Sequence, residues 1–374
     1  MNRRKFLRIS TLGGTALALG GMGTVLAACD PLKLATTPDP NGLLLHPFFT
    51  GRKLATSGQV VTGTGYPWHA NPDGGACFAL AGGGWSYVSN SESIPGGVGH
   101  LRFDAHGAIV GAGSCLTGSL VNCAGGATPW GTWLSCEELP GGRVWECHPT
   151  GAVPAVVRPA LGLFKHEAAA CHTASRRIYL TEDETDGALY RFTPTVWGDL
   201  SAGTLEVLTS TGGTLAWSVV PDPDGSPTAT RNQVPNTVRF RGGEGIDISN
   251  GRVVFSTKGD NRIWAYDPGA NTLTVLYDPA VQVNGVLSGV DNVETSSAGV
   301  IYVAEDGGNM QIVLVRDDGK TFPVVELPGV TGSEITGPAF DPSGTRMYFS
   351  SQRNPGATYE VSGPWAAFTT PGPP

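Results

Sequence analysis

The segment of residues 122–138, NCAGGATPWGTWLSCEE, gathers a thiol and two carboxylates around a loop of small residues. Its glycines permit positive φ angles and its proline fixes φ, so the segment predicts a turn followed by a strand that carries Glu137 and Glu138. Cys123 can then face the acidic pair across the turn. A thiolate with carboxylates suits a transition metal, whereas carboxylates and carbonyls alone suit calcium. The alternative is that Cys123 forms a disulfide and the glutamates are solvated.

The strands that position these residues belong to a pattern that recurs through the chain. Each copy has an aromatic or β-branched strand, a polar Gly-rich turn and a second strand. The six copies are 84–104, 132–146, 177–192, 252–266, 300–315 and 346–361. Six such units without helical periodicity predict an all-β fold, a six-bladed β-propeller. The 54 glycines and 28 prolines agree, because every blade needs several tight turns.

Four further acids recur at one place in this pattern. Glu167, Glu244, Asp291 and Glu334 precede Tyr179, Val254, Tyr302 and Tyr348 by 12, 10, 11 and 14 residues. The innermost strand of each propeller blade lines the central channel, so we expect these acids to converge at the axis. Their mutual repulsion predicts bound cations. The alternatives for each acid are a solvated turn, a strand cap or a salt bridge between blades.

Other acidic and histidine residues are weaker candidates. Glu182-Asp183 and Glu305-Asp306 follow the strands of two repeats and are secondary calcium candidates. His166 either ligates a metal or hydrogen-bonds a ligand. The chain has no Gly-rich phosphate loop, Gly-x-Ser-x-Gly elbow or His-Glu-x-x-His sequence, which weighs against nucleotide hydrolases, esterases and zincins.

The N-terminus predicts export. Arg3-Arg4-Lys5 begins a twin-arginine signal, and Leu26-Ala-Ala-Cys29 resembles a lipoprotein cleavage box with Cys29 as the lipidated residue; a plain membrane anchor is the alternative. We therefore expect a signal segment over residues 1–28, a linker over 29–60 and one propeller domain over 61–374. The expected protein is a monomer, exported by the twin-arginine machinery, in the periplasm or on the cell surface, and associated with the membrane through Cys29.

Charge and cysteine content fit an exported protein. Removing residues 1–28, which hold four basic residues and no acidic one, leaves 20 basic and 32 acidic side chains, a net charge of −12. Such a chain is a poor nucleic-acid binder, and its acidic clusters are better interpreted as cation sites. Beyond Cys29 there are six cysteines, at 77, 115, 123, 136, 147 and 171. If Cys123 is a ligand, two disulfides and one buried thiol account for the rest.

Residues 122–138 resemble the signature of the PhoX-type bacterial alkaline phosphatase family, and the resemblance continues through His166-Glu-Ala-Ala-Ala170 and Tyr179-Leu-Thr-Glu-Asp183 to the C-terminus. It implies iron and calcium ions held at the propeller axis, where a metal-bound oxygen attacks phosphorus. Cys123 matches an iron ligand, and Asn122 matches the start of the signature. Glu138 matches a metal-binding glutamate.

Two more glutamates carry the resemblance. Glu167 matches the metal ligand of a His-Glu-Ala context, and Glu244 resembles the glutamate of an Arg-x-Glu motif that also supplies a phosphate-contacting arginine. Here this sequence departs from the family, because Gly242 occupies the arginine's place and Arg241 lies one residue away. Arg241 reaching through the flexible Gly-Gly pair, or Arg353, is then the expected phosphate contact.

The resemblance implies a metal-dependent phosphomonoesterase that hydrolyses small phosphate esters outside the cytoplasm. Its metal set is Cys123, Glu138, Glu167 and Glu244, with Asp291 or Glu334 completing the shell, and its catalytic candidates are Asn122 and Arg241. Two alternatives remain open. A calcium-binding, lactonase-like propeller explains the acids without Cys123, and a non-catalytic binding or scaffolding lipoprotein explains the displaced arginine.

Overall fold

The fold is a six-bladed β-propeller, seen in a computed structural model that describes residues 33–282 and 285–368. The predicted signal segment and Cys29 lie outside the described residues. Among those described, no helix is long and apolar enough to cross a membrane. Short 3₁₀ helices lie at Pro159–Leu161, Thr230–Asn232, Lys258–Asp260 and Trp365–Phe368.

Each blade is one antiparallel sheet whose strands follow one another from the axis outward. Blades 1 to 3 comprise β3 (Pro72–Ala79), β4 (Trp85–Ser91), β5 (Gly96–Phe103) and β6 (Ile109–Ser119); β7 (Asn122–Ala127), β8 (Trp133–Glu137), β9 (Val144–Cys147) and β10 (Val156–Val157); β11 (His166–His172), β12 (Arg177–Glu182), β13 (Leu189–Val196), β14 (Asp199–Thr211) and β15 (Thr214–Val219). The six predicted repeats correspond to the second and third strands of the six blades, which confirms the fold prediction.

Blades 4 to 6 complete the ring. They comprise β16 (Gly243–Ser249), β17 (Arg252–Thr257), β18 (Arg262–Asp267) and β19 (Thr272–Tyr277); β20 (Val290–Thr295), β21 (Ile301–Glu305), β22 (Gln311–Val315), β23 (Thr321–Glu326) and β1 (Leu44–Leu45); β24 (Ile335–Phe340), β25 (Arg346–Ser351), β26 (Ala357–Ser362) and β2 (Thr50–Thr56). The first strands of neighbouring blades contact one another in cyclic order, and β24 contacts β3, so the ring is closed.

The prediction of a linker over residues 29–60 is wrong for its second half. Strand β1 pairs with β23 and forms the outer edge of blade 5, while β2 pairs with β26 and forms the outer edge of blade 6. The N-terminal segment thereby supplies the outermost strand of the last two blades. The physical reason is that a sheet edge left open exposes unpaired backbone groups, which the N-terminal segment covers.

Small residues at the axis let the first strands of neighbouring blades approach closely. A Cβ atom on Gly245 would lie 2.2 Å from the backbone nitrogen of Val293 in the next blade, and one on Gly74 would lie 2.5 Å from the Cα atom of Ala124. Larger side chains pack between the blades instead, where Tyr179 and Tyr302 are fully buried. The axis is therefore narrow enough for side chains from different blades to meet.

Candidate metal centre

A β-bulge at the start of the innermost strand aims one side chain of each of five blades at the axis. In each case the pairing with the second strand is interrupted for two residues, and the first of those two is acidic or a cysteine. These residues are Asp73, Cys123, Glu167, Glu244 and Asp291. Bulges commonly redirect side chains near functional sites. Blade 6 differs, because Glu334 lies just before β24 and its strand has no acid at the bulge.

Two groups of these side chains are close enough to hold metal ions. Ligand atoms of Cys123, Glu138 and Glu167 lie within 4.8 Å of one another, and so do those of Glu167, Glu244 and Asp291. Glu167 belongs to both groups, and its Oε1 atom lies 3.3 Å from the Cys123 sulfur. The structure thus brings together five of the six predicted metal ligands. Glu334 is near neither group and is paired with Arg353 at 2.8 Å.

The thiol of Cys123 is free, as are those of the other five described cysteines. The disulfide alternative for Cys123 and the expectation of two disulfides elsewhere are therefore wrong for this structure. Each cysteine is held on a strand of a sheet, so the ladder fixes the direction of its side chain, whereas a disulfide needs two Cβ atoms that face one another.

A second ring of charged side chains surrounds the first at one mouth of the channel. It comes from the residue that directly follows the second strand of each blade, and consists of Glu92, Glu138, Asp183, Lys258, Asp306 and Gln352. In Glu137-Glu138, the first residue turns into its blade, because successive side chains of a strand point to opposite faces. Glu137 is 1% exposed and accepts hydrogen bonds from the Trp145 indole and the Arg143 guanidinium.

Glu182 and Glu305 are turned into their blades in the same way. Glu182 accepts hydrogen bonds from the Tyr190 hydroxyl and the Arg231 guanidinium, and Glu305 accepts one from the Ser288 backbone. Of the secondary calcium candidates, only the second members, Asp183 and Asp306, belong to the mouth ring.

Three basic side chains partly neutralise the acids of the mouth. Lys165 bridges Glu138 and Asp183 at 2.9 and 2.7 Å. Lys258 lies 2.9 Å from Glu244. Arg353 pairs with Glu92 at 3.1 Å and with Glu334. The sequence did not single out either lysine.

Burial and neighbouring carboxylates raise the pKa values of the axial groups. Desolvation, followed by repulsion from Glu244 and Glu138, raises the pKa of Glu167 well above its usual value. The pKa of Asp291 rises for the same reasons, through burial and then Glu244. The pKa of Glu244 rises to about 8, because desolvation outweighs the attraction of Lys258. Burial, together with Asp73 and Glu167, raises the pKa of the Cys123 thiol.

These groups fit bound metal ions. The Oε2 atom of Glu167 is buried without a hydrogen-bond partner among the described residues, although buried carboxylate oxygens are normally paired. The axial acids ionise at neutral pH only if positive charge is added beside them. The first group offers a sulfur and oxygens, which suits a transition metal, and the second offers only oxygens, which suits calcium.

The sequence interpretation missed a further acidic cluster on blades 1 and 6. The amide of Gln352 donates to both Asp73 and Glu92, and the pKa of Asp73 is raised well above its usual value by burial and then by Glu92 and Glu334. The signal that reveals Asp73 is the spacing used for the other acids, since it precedes Tyr87 by 14 residues in a Pro-Asp-Gly-Gly context.

The other predicted site residues lie elsewhere. The amide of Asn122 is fully buried, donates to the Ser135 hydroxyl at 2.8 Å and accepts from Ser119, so it fixes the strand rather than facing the axis. Arg241 is exposed, and its side chain has no hydrogen bond or ion pair with the described residues. His166 bonds to the carbonyl of Gly162, and burial lowers its pKa to about 4.

Comparisons with known proteins agree with this arrangement. The family model described as alkaline phosphatase PhoX matches residues 97–146 and 142–250, a stretch that contains Cys123, Glu138, Glu167 and Glu244. No curated protein matches the chain.

Several solved structures share the fold. Pseudomonas fluorescens PhoX, solved in complex with vanadate, a transition state analogue, has a TM-score of 0.72 at 16% identity over 89% of this chain and 98% of its own. A protein of unknown function from Bacteroides thetaiotaomicron has a TM-score of 0.57 at 9% identity, over 84% of this chain and 76% of its own. A Xanthomonas campestris gluconolactonase has a TM-score of 0.46 at 13% identity, over 86% of this chain and 89% of its own. The family match across the axial residues, carried on a closed six-bladed propeller, assigns the chain to the PhoX-type alkaline phosphatase family.

Proposed function

We propose that this protein is a metal-dependent phosphomonoesterase that hydrolyses small phosphate esters. The observation that carries the proposal is the sharing of Glu167 between a thiol-containing group and an all-oxygen group, both at the propeller axis. A phosphate dianion would be repelled by this acidic mouth unless bound cations reversed its charge. When bound, the cations supply Lewis-acid activation of the reacting oxygens and neutralise the phosphate charge.

We further propose that the two groups hold different metals. Cys123, Glu138 and Glu167 would hold iron, because the thiolate is a soft ligand. Glu167, Glu244 and Asp291 offer only oxygens and would hold calcium. The thiol and the acids, whose pKa values are raised by burial, would release their protons as cations bind.

The remaining groups of the mouth would control access and charge. Lys165 holds Glu138 against Asp183, which fixes the carboxylate of Glu138 beside Cys123. The residues turned into the blades, such as Glu137, keep the strand ends in register and take no part in metal binding. The protein contributes no nucleophilic side chain to this scheme.

Export is a separate proposal, supported by the N-terminal sequence. A twin-arginine signal delivers folded proteins, which suits a site assembled from all parts of a closed ring. Mass spectrometry of the protein from a bacterium with this export route should find a mature chain that begins at lipid-modified Cys29. An unmodified, freely soluble N-terminus would contradict the lipid anchor.

Elemental analysis combined with a phosphomonoesterase assay tests the proposed activity. The metal-loaded protein should contain iron and calcium and hydrolyse p-nitrophenyl phosphate, and a chelator should abolish both. Glu167→Gln should lose metal of both kinds, because Glu167 belongs to both groups. Glu326→Gln, on the outer strand β23, is the matched control and should retain both. A metal-loaded protein without phosphomonoesterase activity would refute the proposal.

A further inference from the structure

We infer that Lys258 is the side chain that contacts the substrate phosphate, an inference that rests on the proposed function and names a binding residue for it. The position is set by the hairpin of blade 4. Gly243 pairs with Thr257 across β16 and β17, so Gly242 and Lys258 are the next residues outward on either side. The Lys258 amide donates to the Gly242 carbonyl at 2.9 Å, which holds the two residues together.

Gly242 leaves an open place beside the acids. A Cβ atom on this glycine would lie 3.0 Å from Asp183 Oδ1 and 3.7 Å from Glu244 Oε1, so any side chain at 242 would start inside the mouth. Its φ angle of 69° is in the left-handed region, where glycine is favoured. The place therefore has no side chain of its own, and Lys258 extends a cation into it from the opposite strand end.

The ammonium of Lys258 keeps donors available for a ligand. An ammonium has three N–H donors, and among the described residues only Glu244, at 2.9 Å, lies within hydrogen-bonding distance of Nζ. The carboxylates of Asp306 and Asp183 lie further away, at 3.9 and 4.0 Å. The side chain is 41% exposed, so its remaining donors can point into the mouth.

The other cations of the mouth are more fully engaged. Lys165 is held by two carboxylates at 2.9 and 2.7 Å and is less exposed than Lys258. Arg353 is held by Glu92 and Glu334 at 3.1 and 2.8 Å, on the far side of the ring in blade 6. Arg241 has its donors free, but its side chain contacts none of the axial acids. Lys258 alone among these four combines contact with the Glu167, Glu244 and Asp291 group and unfilled donors.

The test is calorimetric titration of inorganic phosphate into the metal-loaded full-length protein, with metal content measured on the same samples. Lys258→Met should weaken phosphate binding about tenfold to a hundredfold, the range expected for one charge-assisted hydrogen bond, while iron and calcium content stay unchanged. Lys258→Arg should restore most of the affinity, since it returns the charge. Lys320→Met is the control, because Lys320 is exposed and pairs only with Asp318 on an outer turn.

The outcomes separate the inference from the proposed function. If the wild type binds phosphate and Lys258→Met binds it equally well, the inference is wrong and the proposed function survives. The inference is also overturned if Lys258→Met loses metal, or if Arg241→Met weakens phosphate binding while Lys258→Met does not. A metal-loaded wild type that binds no phosphate and hydrolyses no ester overturns the proposed function itself. Thermal unfolding of each variant reports that it is folded.

Discussion

Replacing Glu244 by glutamine should change the stability of the protein in opposite directions with and without metal. Without metal, the pKa of Glu244 is raised to about 8 from a model value of 4.5, first by burial. The folded state therefore binds more protons than the unfolded state between these two values, and stability falls as the pH rises through that window. Glutamine cannot ionise and removes this loss.

The size of the effect follows from the pKa shift. At about 1.4 kcal/mol per pKa unit, the ionised Glu244 destabilises the metal-free fold by about 3 kcal/mol at pH 7 and by less than about 1 kcal/mol at pH 5. The substitution also deprives Lys258 of its nearest partner, an exposed pair worth less than about 1 kcal/mol. The expected net gain is about 2 kcal/mol at pH 7 and close to zero at pH 5.

With metal the sign should reverse. A cation that binds the folded state stabilises it in proportion to the logarithm of its affinity, and the variant lacks one charged ligand. Urea unfolding at pH 5 and pH 7, in chelator and in calcium, measures all four conditions. Glu326→Gln should be neutral in each. The reasoning is refuted if Glu244→Gln destabilises the chelated protein at pH 7, or if its gain there is no larger than at pH 5.

Three further predictions concern the ligands and the ring. Cys123→Ser should lose iron while retaining calcium, as measured by elemental analysis, and equal iron content in variant and wild type would contradict the role of the thiolate. Glu137→Gln should lower unfolding stability by about 2 kcal/mol without changing metal content, whereas Glu138→Gln should lower metal content; the reverse assignment would show that the strand register is wrong. Deleting residues 33–56 should lower the urea midpoint and promote association, seen by size-exclusion chromatography, because blades 5 and 6 lose their outer strands; an unchanged midpoint would contradict ring closure by β1 and β2.

The blade count and the position of the axial acids were predictable because both depend on local patterns. An aromatic residue such as Tyr179 marks the second strand of a blade, and an acid 10 to 14 residues earlier marks the first. The same rule identifies Asp73, which was overlooked because its blade contributed no glutamate in a recognisable context. Local spacing thus carried more of the site than the family signature did.

Other features depend on pairings between distant parts of the chain. Strand β1 has only two residues, and β2 pairs with a strand about three hundred residues away, so neither shows a pattern of its own. Lys258 lies in a Thr-Lys-Gly-Asp sequence that predicts a polar turn, and only the register of blade 4 reveals that the turn lies against Gly242. Sequence reasoning also had no means to tell that Asn122 is enclosed by Ser119 and Ser135.

Strand register connects the stability of each blade to its contribution to the site. In blade 2, Glu137 holds Arg143 and Trp145 inside the blade while Glu138 faces Cys123 and Glu167. A slip of one residue would exchange the two carboxylates, because alternate side chains lie on opposite faces of a sheet. It would bury the wrong charge in the blade and remove a ligand from the axis. The pairs 182–183 and 305–306 divide their roles in the same way, so the blades that fold correctly are also those that present an acid to the mouth.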